Sequence, residues 1–250
     1  MINKKVFLMT ISLILLGFLV YIFTQRTSIM PFVDNKNETD DNINISLSDS
    51  DIQILALLQN GKAPSIIANI SDEHIDKLRS QIEELKLLQN EENSEYWLQE
   101  AVLLSSLGNY QEAIDVLDKV QELFPYNYSS YINKAVNLQR MGLYRDAGGE
   151  YLKAIKIDSK HPVAYLSLAD LFIKYSDNKK TAKNIYENGL NKTGDHIDLL
   201  KAYADYFYTI EGDLENSIKY WEQALYKTEL DSSKRAIKEE IESLQAKLNR

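Results

Sequence analysis

Cysteine is absent from this chain of 250 residues. Without a thiol there is no structural disulfide, no Cys-ligated zinc, no cysteine nucleophile and no acylated lipoprotein cysteine, and the redox compartment cannot be read from thiol usage. Histidine is scarce, with three residues, so neutral nitrogen ligands and general bases are few. Gly and Pro number 9 and 4, which excludes collagen-like and low-complexity chains. The sequence has no Walker loop, dinucleotide-binding glycine fingerprint, HExxH or nucleophile elbow. Positive charge is also short. The formal charge of -9 becomes -11 once Lys4 and Lys5, the only charges before Arg26, are set aside. A chain of that sign from Arg26 onward is expected to avoid nucleic acid and anionic surfaces.

One long apolar run is present. Val6 to Phe23 contains 18 residues without a charge. As a helix it spans about 27 Å, against a hydrocarbon core of about 30 Å. A cleavable signal needs small residues before the cut, whereas Gln25 and Arg26 occupy those places. The reading is an uncleaved single-pass anchor, residues 1–23, with the bilayer as partner through 6–23. Lys4, Lys5 and the free amino terminus favour a cytoplasmic N-terminus, which puts the rest of the chain outside the cytoplasm. Residues 24–48, rich in Asn, Asp, Ser and Thr, are expected to be a tether, because such a composition cannot offset its own ordering entropy.

The remainder repeats. Trp97, Tyr131, Tyr165 and Leu200 recur at 34, 34 and 35 residues, each followed four residues later by Ala101, Ala135, Ala169 or Ala204. A second beat runs through Ala113, Ala147, Ala182 and Ser217, followed four residues on by Leu117, Tyr151, Tyr186 and Trp221, and seven on by Val120, Ala154, Gly189 and Ala224. Gly108, Gly142 and Gly212 separate the halves, where a helix must be left with positive φ. Small residues let two helices approach, the large residue fills the space beside them, and glycine makes the turn. Each unit therefore reads as a helical hairpin. No hairpin can bury its apolar face alone, so the units must stack, with the first helices on the inner wall.

The pattern resembles the tetratricopeptide repeat, most closely in the first unit, with Trp97, Ala101, Gly108, Tyr110, Ala113 and Pro125 in place. The second unit departs from it with Ser159 where the family has Pro, the third has an inserted residue in the turn from Ser176 to Thr181, and the fourth has Ser217 for Ala. The expected fold is all-α: a solenoid of about four repeats, 94–127, 128–161, 162–196 and 197–230, closed by a capping helix at 231–250 and placed behind a single transmembrane helix. That cap should bury Ile237, Ile241, Leu244 and Leu248. Residues 49–93 read as a helical pair, either a degenerate hairpin or a docking pair.

Carrying over the family's ligand-facing positions implies a peptide groove lined by Leu98, Gln99 and Val102, then Ile132, Asn133, Val136, Gln139 and Arg140, then Leu166 and Asp170, then Lys201, Asp205 and Tyr208. The resemblance implies a protein or peptide partner and no cofactor. Chaperone-tail-binding members of the family grip a C-terminal carboxylate with a set of Lys, Asn and Arg that is not found here. Asp195, His196 and Asp198 are the one conceivable metal cluster, and they read as a solvated junction. Gly148 and Gly149 break helix propensity inside the second repeat, where Ile114 and Ile218 stand at the equivalent of Gly148, and read as a shallow pocket or as drift. The expected function is a membrane-anchored binding scaffold in a bacterial envelope, not an enzyme. The alternatives are an assembly subunit that uses its convex faces and an enzyme with an unrecognised site.

Overall fold

A computed structural model describes residues 45–62, 71–88, 92–176 and 178–249. The apolar run 6–23 and most of the tether lie outside the described residues. Within them are eleven α-helices and no strand, and no helix is long and apolar enough to cross a membrane.

Two helices precede the repeats: α1 (Asp49–Leu55) and α2 (Asp72–Leu88). Four hairpins follow. They are α3 (Ser94–Ser106) with α4 (Tyr110–Leu123), α5 (Tyr128–Arg140) with α6 (Tyr144–Ile157), α7 (Pro162–Tyr175) with α8 (Lys179–Thr193), and α9 (Ile197–Tyr206) with α10 (Leu214–Lys227). Helix α11 (Asp231–Leu248) packs on α10. Each hairpin also packs on the next, and the first helices touch their counterparts, α3 with α5 and α7 with α9.

Local chemistry accounts for the boundaries. Asn93, Asn127, Asn178 and Asp213 cap helices by accepting from backbone amides two or three residues on. His161 and His196 do the same through Nδ1, to Val163 and Asp198. Gly108, Gly142 and Gly212 adopt φ of 83°, 80° and 68°, as the turns require. Tyr131 donates its hydroxyl to the Pro125 carbonyl at 2.9 Å, and Tyr165 makes the same bond to Ser159 at 3.2 Å. The junction therefore survives the exchange of Pro for Ser, because the bond uses the backbone carbonyl. The fourth unit carries an extra residue before its glycine, absorbed as a π-helical turn, Phe207–Glu211.

The small residues of the second beat are fully buried: Ala113, Ala147, Ala182 and Ser217 are each 0% exposed. The tyrosines at packing positions, Tyr131, Tyr151, Tyr165, Tyr186 and Tyr203, are core. Burial pushes the hydroxyls of Tyr131 and Tyr165 up to about 12. In the cap, Ile237, Ile241 and Leu244 are buried, but Leu248 is 45% exposed, contrary to the sequence reading. It lies at the last residue of α11.

The two upstream helices dock at different places. Leu78, Ile82 and Leu85 of α2 are buried, and Ile82 and Leu85 join Trp97 and Leu98 in one core as α2 packs on α3. Helix α1 lies instead on α6. Ser48 and Asp51 form a capping box at its start, and Asp51 pairs with Lys156 at 2.7 Å. Desolvation opposes ionisation of Asp51, yet the hydrogen bonds from Lys156 and Ser48 hold its carboxyl below the ordinary value. Further along, the Arg145 amide donates to Asn60 Oδ1, Gly61 donates to the Gly142 carbonyl, and Tyr144 donates to the Lys62 carbonyl. Residues 46–62 thus form a strap over the second hairpin. Leu55 and Leu58 are 4% and 3% exposed, seated against Gly148. The paired glycines are a notch filled by the chain's own strap.

Candidate binding groove

The first helices, α3, α5, α7 and α9, carry the side chains expected to meet a ligand. Two of these are not available to one. Leu98 and Ile132 are each 3% exposed. Leu98 is covered because α2 docks on α3. Ile132 belongs to the buried core of α5, on a helix that packs against α3.

The remaining positions are accessible to different degrees. Gln99 is exposed, while Val102, Asn133, Val136, Gln139, Arg140, Leu166, Asp170 and Lys201 are half-buried. Asp205 and Tyr208 are exposed. Several already have partners. Tyr151 donates to Gln139 Oε1 at 3.3 Å, the Arg140 guanidinium lies 5.9 Å from the Tyr110 ring centre, and Asp170 pairs with Lys174 at 2.8 Å. The Lys247 ammonium sits 4.6 Å from the Tyr208 ring centre and donates to its hydroxyl.

One register of the inner wall changes character along the solenoid. Val102, Val136, Asp170 and Asp205 stand one repeat apart, and the same spacing continues to Glu240 in α11. The row is apolar in the first two hairpins and anionic from the third onward. The groove read from the sequence ends at Tyr208, whereas the 35-residue interval from Asp205 leads on to Glu240. Desolvation raises the Asp205 carboxyl above its ordinary value and the charge of Glu240 adds to this, against the opposing effect of Lys201. Burial likewise raises Tyr151, with a hydrogen bond to Ser167 acting the other way.

At its C-terminal end the wall opens into a cleft of about 960 Å³ between α9, α10 and α11. The junction cluster at its edge is structural. His196 caps α9, with its Nδ1 3.8 Å from Asp198 Oδ2. Among the described residues no three His, Asp or Glu side chains are grouped to hold a metal ion.

Known proteins share the repeat and the fold. A family model described as tetratricopeptide repeat matches residues 94–127, the first hairpin. The TPR repeat-containing protein MJ1428 of Methanocaldococcus jannaschii is 28% identical over 144 residues, which covers 56% of this chain. The matched stretch spans 25% of that relative's length. Among solved structures, TTC0263 of Thermus thermophilus, a thermophilic TPR protein, superposes with a TM-score of 0.51 at 15% identity, covering 79% of this chain and 96% of that one. MamA superposes at 0.50 with 20% identity, over 68% of this chain and 99% of its own. At these identities the likeness to solved structures is one of fold. The chain carries an all-helical solenoid of the tetratricopeptide kind, and both the family match and the relative support that family.

Proposed function

We propose that this chain is a membrane-tethered binding scaffold whose inner wall holds a segment of a partner protein. The observation that carries the reading is the inner row from Val102 and Val136 to Asp170 and Asp205. Partly exposed apolar side chains give way to charged ones at one-repeat spacing, on helices packed against their neighbours. Such a wall suits a peptide that makes apolar contacts at one end and polar contacts at the other. The uncharged run 6–23, preceded by Lys4 and Lys5, supports bilayer anchoring with the repeats outside the cytoplasm.

The test is partner capture by the full-length protein carrying both Val136→Glu and Arg140→Glu. Val136→Glu puts a carboxylate where an anchor would be desolvated, and Arg140→Glu reverses a charge one turn away. Capture is expected to fall while the helical circular dichroism signal stays unchanged. Wild-type capture by the folded double variant would move the interaction to the outer helices. Permanent assembly through those outer faces is the second reading, favoured by Tyr226, which is 91% exposed near the end of the last hairpin.

A further inference from the structure

The cleft at the C-terminal end of the inner wall is built by three elements. Helix α9 supplies Lys201 and Asp205, the π turn that extends it supplies Tyr208, α10 supplies Trp221, and α11 supplies Glu240. Trp221 stands at the repeat position held by Tyr151 and Tyr186 in the preceding hairpins. Tyr151 turns its hydroxyl to Gln139 on the inner wall, and Tyr186 feels the charges of Asp170 and Asp205. The same register places Trp221 in the wall of the cleft. Trp221 is 8% exposed, and its Nε1 has no hydrogen-bond partner among the described residues. A buried donor of this kind is costly and calls for an acceptor.

The carboxylates at the same place are short of counter-charge. Lys201 opposes Asp205, and Lys227, which donates to the Gly194 carbonyl, is the other cation of the lining. Asp198 and Glu229 add further negative charge to the lining. The cleft therefore presents a donor that lacks an acceptor, carboxylates that outnumber the cations of the lining, and aromatic rings beside them.

We propose that this cleft receives a basic segment of the partner protein, with a Lys or Arg side chain between Asp205 and Glu240 and a backbone carbonyl accepting from Trp221 Nε1. The proposal rests on the reading of the inner wall as a peptide groove and names the charge of what enters it. An acidic segment meets repulsion at the same carboxylates.

Trp97 and Trp221 are the two tryptophans, so full-length Trp97→Phe protein in detergent makes Trp221 the sole indole reporter. The probes are acetylated, amidated twelve-residue peptides of Ala, Leu and Ser carrying regularly spaced Lys, Arg or Glu. The Lys and Arg peptides are expected to shift Trp221 emission and the Glu peptide to leave it unchanged. Replacing Asp205→Asn with Glu240→Gln should weaken binding about tenfold or more, as should raised salt, while Asp118→Asn on α4 should not. Isothermal titration of the chain with both tryptophans gives the same comparison if Trp97→Phe does not fold. Equal binding of the Glu peptide, or affinity unchanged in the double variant, overturns the proposal. If partner capture remains sensitive to Val136→Glu with Arg140→Glu, that outcome removes the basic ligand and leaves the groove. If that capture is insensitive, the groove itself is wrong.

Discussion

Leu55 lies against Gly148 so closely that a β-carbon added to the glycine would stand 2.6 Å from Leu55 Cδ2 and 2.9 Å from Leu58 Cδ1. The absence of a side chain at Gly148 is therefore what lets the strap dock on α6. A helix-interior glycine costs about 1 kcal/mol relative to alanine, whereas burying a leucine contributes about 1.5 to 3 kcal/mol before entropy is subtracted. The two strap leucines together outweigh the defect in the helix.

Gly148→Ile installs the residue type found at the same position in Ile114 and Ile218. Alanine would be a weaker test, because leucine methyl groups can rotate away from one carbon. The isoleucine is expected to expel residues 46–62 while leaving the repeats folded. Limited trypsin digestion at Lys62 should then speed up about tenfold or more, in keeping with a local opening. Cleavage as slow as in the wild type would show that the strap does not depend on the notch.

Ser217 occupies a place that is alanine in the other three hairpins, is 0% exposed, and leaves Oγ without a hydrogen-bond partner among the described residues. Ser217→Ala removes a buried, unsatisfied hydroxyl and improves helix propensity. A gain of about 1 kcal/mol is expected, read as a midpoint shift in urea at constant slope. A loss of stability would mean that the hydroxyl has a partner in solution.

The repeat was legible because its causes are local and periodic. Positive φ at Gly108, Gly142 and Gly212 follows from the need to leave a helix in one step. The burial of Ala101, Ala135, Ala169 and Ala204 follows from close helix approach. Contacts from outside the repeat were not legible. Leu98 looked like a groove residue because the docking of α2 on α3 is a pairing that periodicity does not encode. The glycine pair at Gly148 was visible as a broken rule, but its reason lies in Leu55 and Leu58, about ninety residues away in the chain. The acidic end of the groove needed Glu240, which a reading that stopped at the fourth hairpin left out.

The cap offers a contrast within one helix. Leu244 is 0% exposed and Leu248 is 45% exposed. Leu244→Ala is expected to cost about 2 to 4 kcal/mol, and Leu248→Ala no more than about 0.5 kcal/mol. Denaturant unfolding of the two single variants checks this. Equal costs would mean that α11 docks in a different register.

Asp205 carries a pH signature of opposite sign to an ion-paired carboxylate. Its folded-state value is raised, first by desolvation and then by Glu240, so the folded chain holds the proton more tightly than the unfolded one. The penalty of ionisation is present at neutral pH, fades as pH falls through the raised value, and is gone below the ordinary value of 3.8. Asp205→Asn should therefore raise the melting temperature at pH 7, with the difference closing toward acid pH. A lowered melting temperature at pH 7 would show that Asp205 is held by a stabilising partner.

Site-specific photo-crosslinking in intact host cells tests the central claim most directly. A photoreactive residue is placed in the full-length chain at Val136 on the inner wall or, in separate variants, at the exposed outer-helix positions Glu112 and Asn184. A discrete adduct to a partner protein is predicted from Val136, lost when Asp205→Asn and Glu240→Gln are added, with no such adduct from the outer positions. Adducts from Glu112 or Asn184 with none from Val136 would contradict the groove and make the outer faces the binding surface.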